Sequence, residues 1–286
     1  MNRYREFVAG FARLLETGKD LPLGGLAPLE TPALPPDAPR ALIFSPHPDD
    51  EVIIGALPLR LLRESKMKVI NVAVTQGSNK ARQPERWKEL ENCCRYIGFG
   101  LVQTRPNGLE GISLNSRADN PSQWAQSVAR IAEILTEQKP RVIFFPHAED
   151  WNSSHIGTHH LVIDALKILG NSFTCWAVET EFWGAMASPN LMVESSEQDV
   201  TDLLCALSYH VGEVRRNPYH VRLPAWFMDN VRRGTELVGG QGGAAPDFQF
   251  ATLYRLSKWT GGKLEIPFKG GRFAARSDNL ATLFGD

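Results

Sequence analysis

Between positions 46 and 51 the chain reads Pro46-His47-Pro48-Asp49-Asp50-Glu51, one imidazole and then three consecutive carboxylates, close behind the apolar run Ala41-Leu42-Ile43-Phe44. Adjacent carboxylates repel one another, and a buried one stays charged only beside a cation or several hydrogen-bond donors. A divalent metal supplies that charge. Imidazole nitrogen and carboxylate oxygen both suit zinc, and a site with three protein ligands keeps a position for water, so the chemistry such a cluster could do is hydrolysis. The competing structural reading is a helix N-terminus, with Pro48 preset for the first turn and the acids favoured by the macrodipole. It gives His47 no role.

A third ligand has to come from elsewhere, and the chain holds seven histidines. His147, His155, His159 and His160 fall in one segment that repeats the first layout: the apolar run Val142-Ile143-Phe144-Phe145, a proline, polar residues, then the amphipathic stretch Leu161–Leu169. In an open parallel sheet, ligands bind beyond the carboxyl ends of the strands, where both segments would lie. His155 and His159 are spaced i, i+4, which on one helix face would allow both to be ligands. Gly157 between them weakens helix continuity and favours His159 alone. His160 faces about 100° away from His159. His147 would line the pocket or be a satisfied loop histidine, His210 would reach the pocket edge or the surface, and His220 reads as structural. Asp150 would orient an imidazole or cap a turn. Trp151 and Trp183 would form a wall for a sugar ring, with burial the favoured reading.

On Pro46-His47-Pro48-Asp49-Asp50-Glu51 the chain resembles the zinc-dependent de-N-acetylases of the PIG-L/LmbE-like family, whose signature that segment matches residue for residue. The resemblance implies that His47 and Asp50 bind zinc and that Asp49 is the general base toward water. The family's second motif is usually His-Pro-Asp-His, with the last histidine a ligand and the first assisting the chemistry. Ile156-Gly157-Thr158-His159 occupies that register, so His159 is the implied third ligand and Ile156 stands at the assisting position, a role that passes to neighbouring His155. Val74-Thr75-Gln76-Gly77 is similar to the family's second strand and turn, and Arg86-Trp87-Lys88-Glu89-Leu90 to a helix start whose arginine, Arg86, would reach substrate. Ala206-Leu207-Ser208-Tyr209-His210 is similar to a late histidine-bearing helix, so the resemblance spans roughly residues 40 to 215. It implies zinc-assisted removal of an acetyl group from an N-acetylated amino sugar or glycoconjugate. Two other readings share these residues: a catalytically weakened relative that binds a sugar without cleaving it, and a metal-dependent hydrolase of another amide or ester.

The whole chain fits a small-molecule enzyme. Lysine and arginine total 31 against 32 aspartates and glutamates, with no long run of one sign, which argues against nucleic acid as partner. No apolar run approaches the ~18 residues of a membrane span, and the N-terminus lacks a signal-type core, so the expected location is the cytoplasm. Cys93, Cys94, Cys175 and Cys205 lack Cys-x-x-Cys spacing and read as buried free thiols. A homo-oligomer stays open.

Those motifs need elements to hold them. Apolar, β-rich runs at Ala41–Ser45, Val69–Thr75, Gly100–Thr104, Val142–Pro146 and Thr174–Val178 alternate with helical patterns at Val52–Ser65, Glu85–Ile97, Trp124–Gln138 and His159–Leu169. This predicts an α/β, Rossmann-like, mostly parallel sheet with helices on both faces in three layers. Residues 1–40 read as a helix over Tyr4–Glu16 and a tether rich in proline and glycine, and residues 41–286 as a single domain with its core over 41–215 and a C-terminal elaboration over 216–286. Ahead of that elaboration Leu191–Glu194 reads as a strand and Ser196 as the cap of a helix through Tyr209; within it Pro224 starts a helix ending before Gly239, and Phe250–Leu256 forms a late strand. The Gly239–Gly243 run has no following lysine and reads as a surface loop rather than a phosphate cradle.

Overall fold

In the computed structural model, which describes residues 2–285, the first strand β1 (Arg40–Ser45) runs through the middle of the molecule. Its side chains alternate between the two faces of the sheet, so Ala41 and Ile43 join one core and Leu42 the other. Beyond β1 come α2 (Asp50–Ile53), α3 (Leu57–Arg63), β2 (Lys68–Ala73), α4 (Gln83–Ile97) and β3 (Gly100–Gln103). The short α5 (Ser116–Asp119) and the long α6 (Pro121–Gln138) lead to β4 (Val142–Pro146), α7 (Ser153–Leu169) and β5 (Cys175–Thr180). The sheet order β3-β2-β1-β4-β5 is parallel throughout. Leu57, Leu61, Leu90 and Ile97 of α3 and α4 cover one face, and Ile131, Leu135, Leu161 and Leu166 of α6 and α7 the other. The three-layer, mostly parallel arrangement is the one the alternating pattern predicts.

The chain leaves β1 for β2 on one side and later returns to β4 on the other, so the crevice beyond β1 and β4 is the topological switch point of the sheet. The C-terminal part then departs from parallel pairing. β6 (Leu191–Ser195), α8 (Glu197–Leu207), α9 (Val211–Arg216) and α10 (Leu223–Leu237) precede β7 (Phe250–Thr260), which runs antiparallel to both β5 and β6. Strands β8 (Lys263–Glu265) and β9 (Arg272–Ala274) complete nine. Ser196 caps α8 in a reciprocal capping box with Asp199.

Two helices differ from the sequence reading. The one expected over Val52–Ser65 is broken at Gly55, which has φ +85° and lies so close to Thr252 that a Cβ would sit 2.1 Å from its hydroxyl. Tyr254 of β7 repairs the break: its hydroxyl donates to Ile54 O (2.6 Å) and accepts from Leu57 N–H (3.4 Å). The helix expected to begin at His159 begins at Ser153 instead, capped by Asn152, whose Oδ1 accepts the Ser154 N–H at 2.9 Å.

The leading helix α1 (Arg3–Gly18) and the segment after it lie on the domain. Leu29 N–H donates to Tyr96 O (2.9 Å), Gly24 N–H to Ser208 Oγ (3.1 Å) and Tyr209 Oη to Leu26 O (2.6 Å). Buried Gly18 stands against Val221, where a Cβ would meet Val221 Cγ1 at 2.8 Å.

Candidate metal centre and its surroundings

The turn after β1 is pinned by β2, since Thr75 Oγ1 donates to Pro46 O (2.7 Å) and Ser45 Oγ to Asn71 Oδ1 (2.7 Å). That turn carries His47 to the crevice, while α7 delivers His155 from the β4 side. His47 Nδ1, His155 Nε2 and Asp50 Oδ2 form a triangle with sides of 3.2, 3.3 and 3.4 Å. Bonds of ~2.0–2.1 Å to a tetrahedral zinc ion put neighbouring ligand atoms ~3.3–3.4 Å apart, so the three edges fit such an ion without rearrangement. Asp50 Oδ1 is buried with no hydrogen-bond partner, the mark of a carboxylate whose counter-charge is supplied by something other than the chain. The donor set of two imidazoles and a carboxylate suits zinc and related divalent ions.

The charges agree with this. Burial opposes ionisation of Asp50, yet His155 and His47 beside it hold its carboxyl far below the usual range. Burial likewise opposes a proton on His155, but Asp50 on one side and Asp150 on the other push its pKa up to about 10. A proton there does the work of a cation. Asp150 stands 3.4 Å from His155 Nδ1 and is fixed by N–H groups of Asn152 (2.8 Å to Oδ1) and of Trp183 and Gly184 (both 3.3 Å to Oδ2). A carboxylate behind a metal-facing imidazole sets its tautomer and orientation.

Asp49 lies between the metal-facing group and the interior. Its backbone is left-handed, with φ +110°, a conformation costing a non-glycine residue roughly 1–3 kcal/mol. Three hydrogen bonds hold it: Asp49 N–H donates to Glu51 Oε2 (3.0 Å), Val52 N–H donates to Asp49 O (3.4 Å) and Tyr219 Oη donates to Asp49 Oδ2 (2.5 Å). Burial, then the neighbouring Asp50 charge, raise the Asp49 pKa to about 7, against the lowering pull of His210, Arg86 and the Tyr219 hydroxyl. A carboxylate near neutrality can both take and return a proton.

A second group of metal-compatible side chains lies one residue along. Glu51, Cys93 and His210 are fully buried with ligand atoms within 4.8 Å of one another. Here His210 Nε2 donates to Glu51 Oε1 at 2.7 Å, and burial, then the Glu51 charge, push the Cys93 thiol well up so that it keeps its proton. Glu51 Oε2 accepts the Asp49 N–H, so both carboxylate oxygens are met by the chain, while His210 Nδ1 has no partner.

The geometry exchanges the places of two histidines relative to the sequence reading. His155, expected to assist, completes the triangle, and His159, expected as third ligand, lies one turn farther along with Nδ1 donating to Pro146 O (2.9 Å) and its pKa lowered to about 4, chiefly by burial. The physical reason is Gly157. It does not interrupt α7; a Cβ there would sit 2.7 Å from the Ser113 backbone, so glycine permits a close approach inside a continuous helix. Arg86, expected to reach substrate, is placed on the turn under Asp49, where Nη2 donates to Pro48 O (3.0 Å) and its guanidinium packs on Gly77. His147 is a satisfied loop histidine, Nε2 donating to Gly184 O (2.9 Å) and Nδ1 accepting from Glu149 N–H (3.3 Å). Trp151 is 79% exposed and Trp183 37%, so the expected burial fails for both.

A cavity of about 330 Å³ opens beside His47, lined also by Thr75, Lys80, Gln83, Ser113 and Ser154. No local pattern marks Tyr219, 170 positions from the residue it touches. His155 did have a signal: Asn152 is a good N-cap, which starts the helix early enough to carry position 155.

Residues 42–166 match the family described as PIG-L: GlcNAc-PI de-N-acetylase. No curated protein matches the chain. Among solved structures it is similar to an N,N'-diacetylchitobiose deacetylase from Pyrococcus horikoshii, at 18% identity and TM-score 0.56, over 92% of this chain and 97% of that one. It is similar also to the A40926 pseudoaglycone deacetylase Dbv21 (16%, TM-score 0.56, 79% and 99% covered). GalB, the 4-carboxy-2-hydroxymuconate hydratase from Pseudomonas putida KT2440, shares the fold too (16%, TM-score 0.54, 76% and 95%). The family match and the metal-compatible cluster together support a metal-dependent hydrolase of the deacetylase kind.

Proposed function

We propose, on the premise that this chain matches the PIG-L/LmbE-like deacetylase family, that it is a zinc-dependent hydrolase removing acetyl from an N-acetylated amino sugar or glycoconjugate. The observation that carries the reading is the triangle of His47 Nδ1, Asp50 Oδ2 and His155 Nε2 with Asp49 beside it. His47, Asp50 and His155 would hold the ion. When bound, zinc polarises an amide carbonyl and lowers the pKa of water from ~16 towards ~7.

Asp49 then accepts the water proton through Oδ1, since Oδ2 is engaged by Tyr219. Oxygen bonds to the acetyl carbon, the C–N bond breaks, and the same proton passes from Asp49 to the departing nitrogen, giving acetate and a free amine. Both transfers need a group that can take a proton and give it back, and burial, which raises the Asp49 pKa, favours the return. His155 is engaged at both nitrogens, and His147 and His210 bond elsewhere, so Asp49 carries the proton in this reading. The polar cavity beside His47 suits a hydroxylated substrate.

Zinc-loaded protein incubated with a panel of N-acetylated sugars should release acetate, and Asp49→Asn should keep the metal but lose ~10²-fold or more in turnover. Metal-replete protein that releases no acetate from any of them overturns the deacetylase reading. Undiminished turnover in Asp49→Asn removes Asp49 as base.

A further inference from the structure

The family-model match ends at residue 166, yet the shortest side-chain contact to Asp49 comes from residue 219. Tyr219 opens the 3-10 turn Tyr219–Arg222 between α9 and α10, preceded by Pro218. It is 8% exposed, and its ring meets that of Trp183 edge-on with centroids 5.3 Å apart. Trp183 N–H in turn donates to Asp150 Oδ2, the carboxylate behind His155. The phenol is thus held on the side of its ring, and its hydroxyl has one partner, Asp49 Oδ2.

The geometry points to Tyr219 as the positioning residue of Asp49: its hydroxyl holds one carboxylate oxygen so that the other faces the reacting water, and the turn after α9 is part of the active site. The base needs such a brace. Its backbone is in a left-handed conformation that a non-glycine residue leaves readily unless held, and the Glu51 contact fixes only its N–H. A carboxylate free to rotate about its side-chain bonds offers either oxygen or neither. A fixed one is already in the reactive geometry, and fixing it matters to the rate and not to substrate affinity. Tyr219 therefore acts through Asp49 and not on substrate.

The inference rests on the hydrolase reading for its kinetic arm only, so a second arm is independent of activity. In the full-length chain, Tyr219→Phe, Asp49→Ala and the double variant are compared by urea unfolding. Loss of the hydroxyl should shift the folding equilibrium about tenfold when Asp49 is present, as expected for a hydrogen bond to a charged group, and less than about twofold when it is absent. Additive effects overturn the pairing. If Asp49→Ala does not fold, Asp49→Asn replaces it, and the coupling should fall because the charge is gone. In the kinetic arm, on whichever N-acetylated sugar the wild-type protein cleaves, Tyr219→Phe should lower kcat about tenfold and leave KM within about twofold. An unchanged kcat, or a rise in KM alone, overturns the positioning role even where the pairing is real. If no sugar is cleaved, the deacetylase reading has failed and the unfolding cycle still decides the pairing.

Discussion

Asp50 and Glu51 are neighbours in the chain, and each meets a histidine brought from more than a hundred residues away, yet the two clusters they head behave differently. Around Asp50, nitrogen faces nitrogen across 3.2 Å, one carboxylate oxygen has no partner, and a proton must stand in for the missing charge. Around Glu51 both carboxylate oxygens are met by the chain, Oε1 by His210 Nε2 at 2.7 Å and Oε2 by the Asp49 N–H, and the thiol keeps its hydrogen, although His210 Nδ1 has no partner. The first carboxylate is short of a partner that a cation would supply, and the second has a partner at each oxygen. Residue types alone do not separate a metal site from a buried polar brace; what separates them here is whether the carboxylate's own oxygens are satisfied by the chain.

The sharpest way to break that comparison is to remove the distal histidine from each cluster. His155→Ala should lower divalent metal affinity by more than ~10²-fold, measured by equilibrium dialysis with elemental analysis, while the same change at His159 leaves it nearly intact. His210→Ala should do the reverse, costing about 3–5 kcal/mol in urea unfolding as Glu51 is left buried and unpaired, with one ion still bound per folded chain. Metal loss in His210→Ala, or retention in His155→Ala, would invert the assignment.

Metal removal gives a somewhat smaller effect. Adding zinc at 100 times its Kd to the chelated protein should stabilise it by about 2.7 kcal/mol, seen as a rise in Tm. The rise should survive Cys93→Ala and vanish in Asp50→Ala. Survival in both would place the ion outside either cluster.

The pH dependence of the metal-free protein sharpens the contrast further. His155 has its folded pKa raised to about 10 from the ordinary histidine value of 6.5, so its contribution to stability is fully present below pH 6.5 and is lost as pH rises through 10. The urea midpoint should therefore fall across that window, and zinc, which displaces the proton, should flatten the fall. His210 is raised too, with the same sign, so the slope remaining in His155→Ala belongs to the Glu51 cluster. A midpoint that does not move between pH 6.5 and 10 would contradict the placement of His155 between two carboxylates.

The smallest effect tests the helix that carries His155. Gly157→Ala should destabilise by about 1–3 kcal/mol, because the new methyl meets Ser113 backbone and not a flexible side chain. A gain of stability, the ordinary result of replacing glycine inside a helix, would show that the Ser113 segment yields freely.

What could be read from the sequence divides along physical lines. The alternation of apolar runs and helical periods fixed the parallel sheet, because strands β1, β2, β4 and β5 are buried on both faces and their composition says so. His47, Asp49 and Asp50 were legible because neighbours in sequence are neighbours in space at a tight turn. The choice between His155 and His159 was not, since it depended on what a glycine was for. Helix propensity treats Gly157 as a weakness, whereas Ser113, over forty residues away, makes it a requirement. Arg86, read as a substrate contact, braces Pro48 for a comparable reason: its reach is set by where α4 packs, and no local pattern records that. Tyr219 and the Glu51 cluster are long-range pairings of the same kind.

Gly18, at the end of the first helix, rests on Val221, in the same turn as Tyr219. The opening helix thus ends against the same short turn that supplies the brace on Asp49. For anyone handling the protein this bears on vector design: a purification tag or fusion partner joined ahead of Arg3 attaches to an element that touches this turn, and kinetic constants from amino- and carboxyl-terminal tag formats should be compared before either is taken as native.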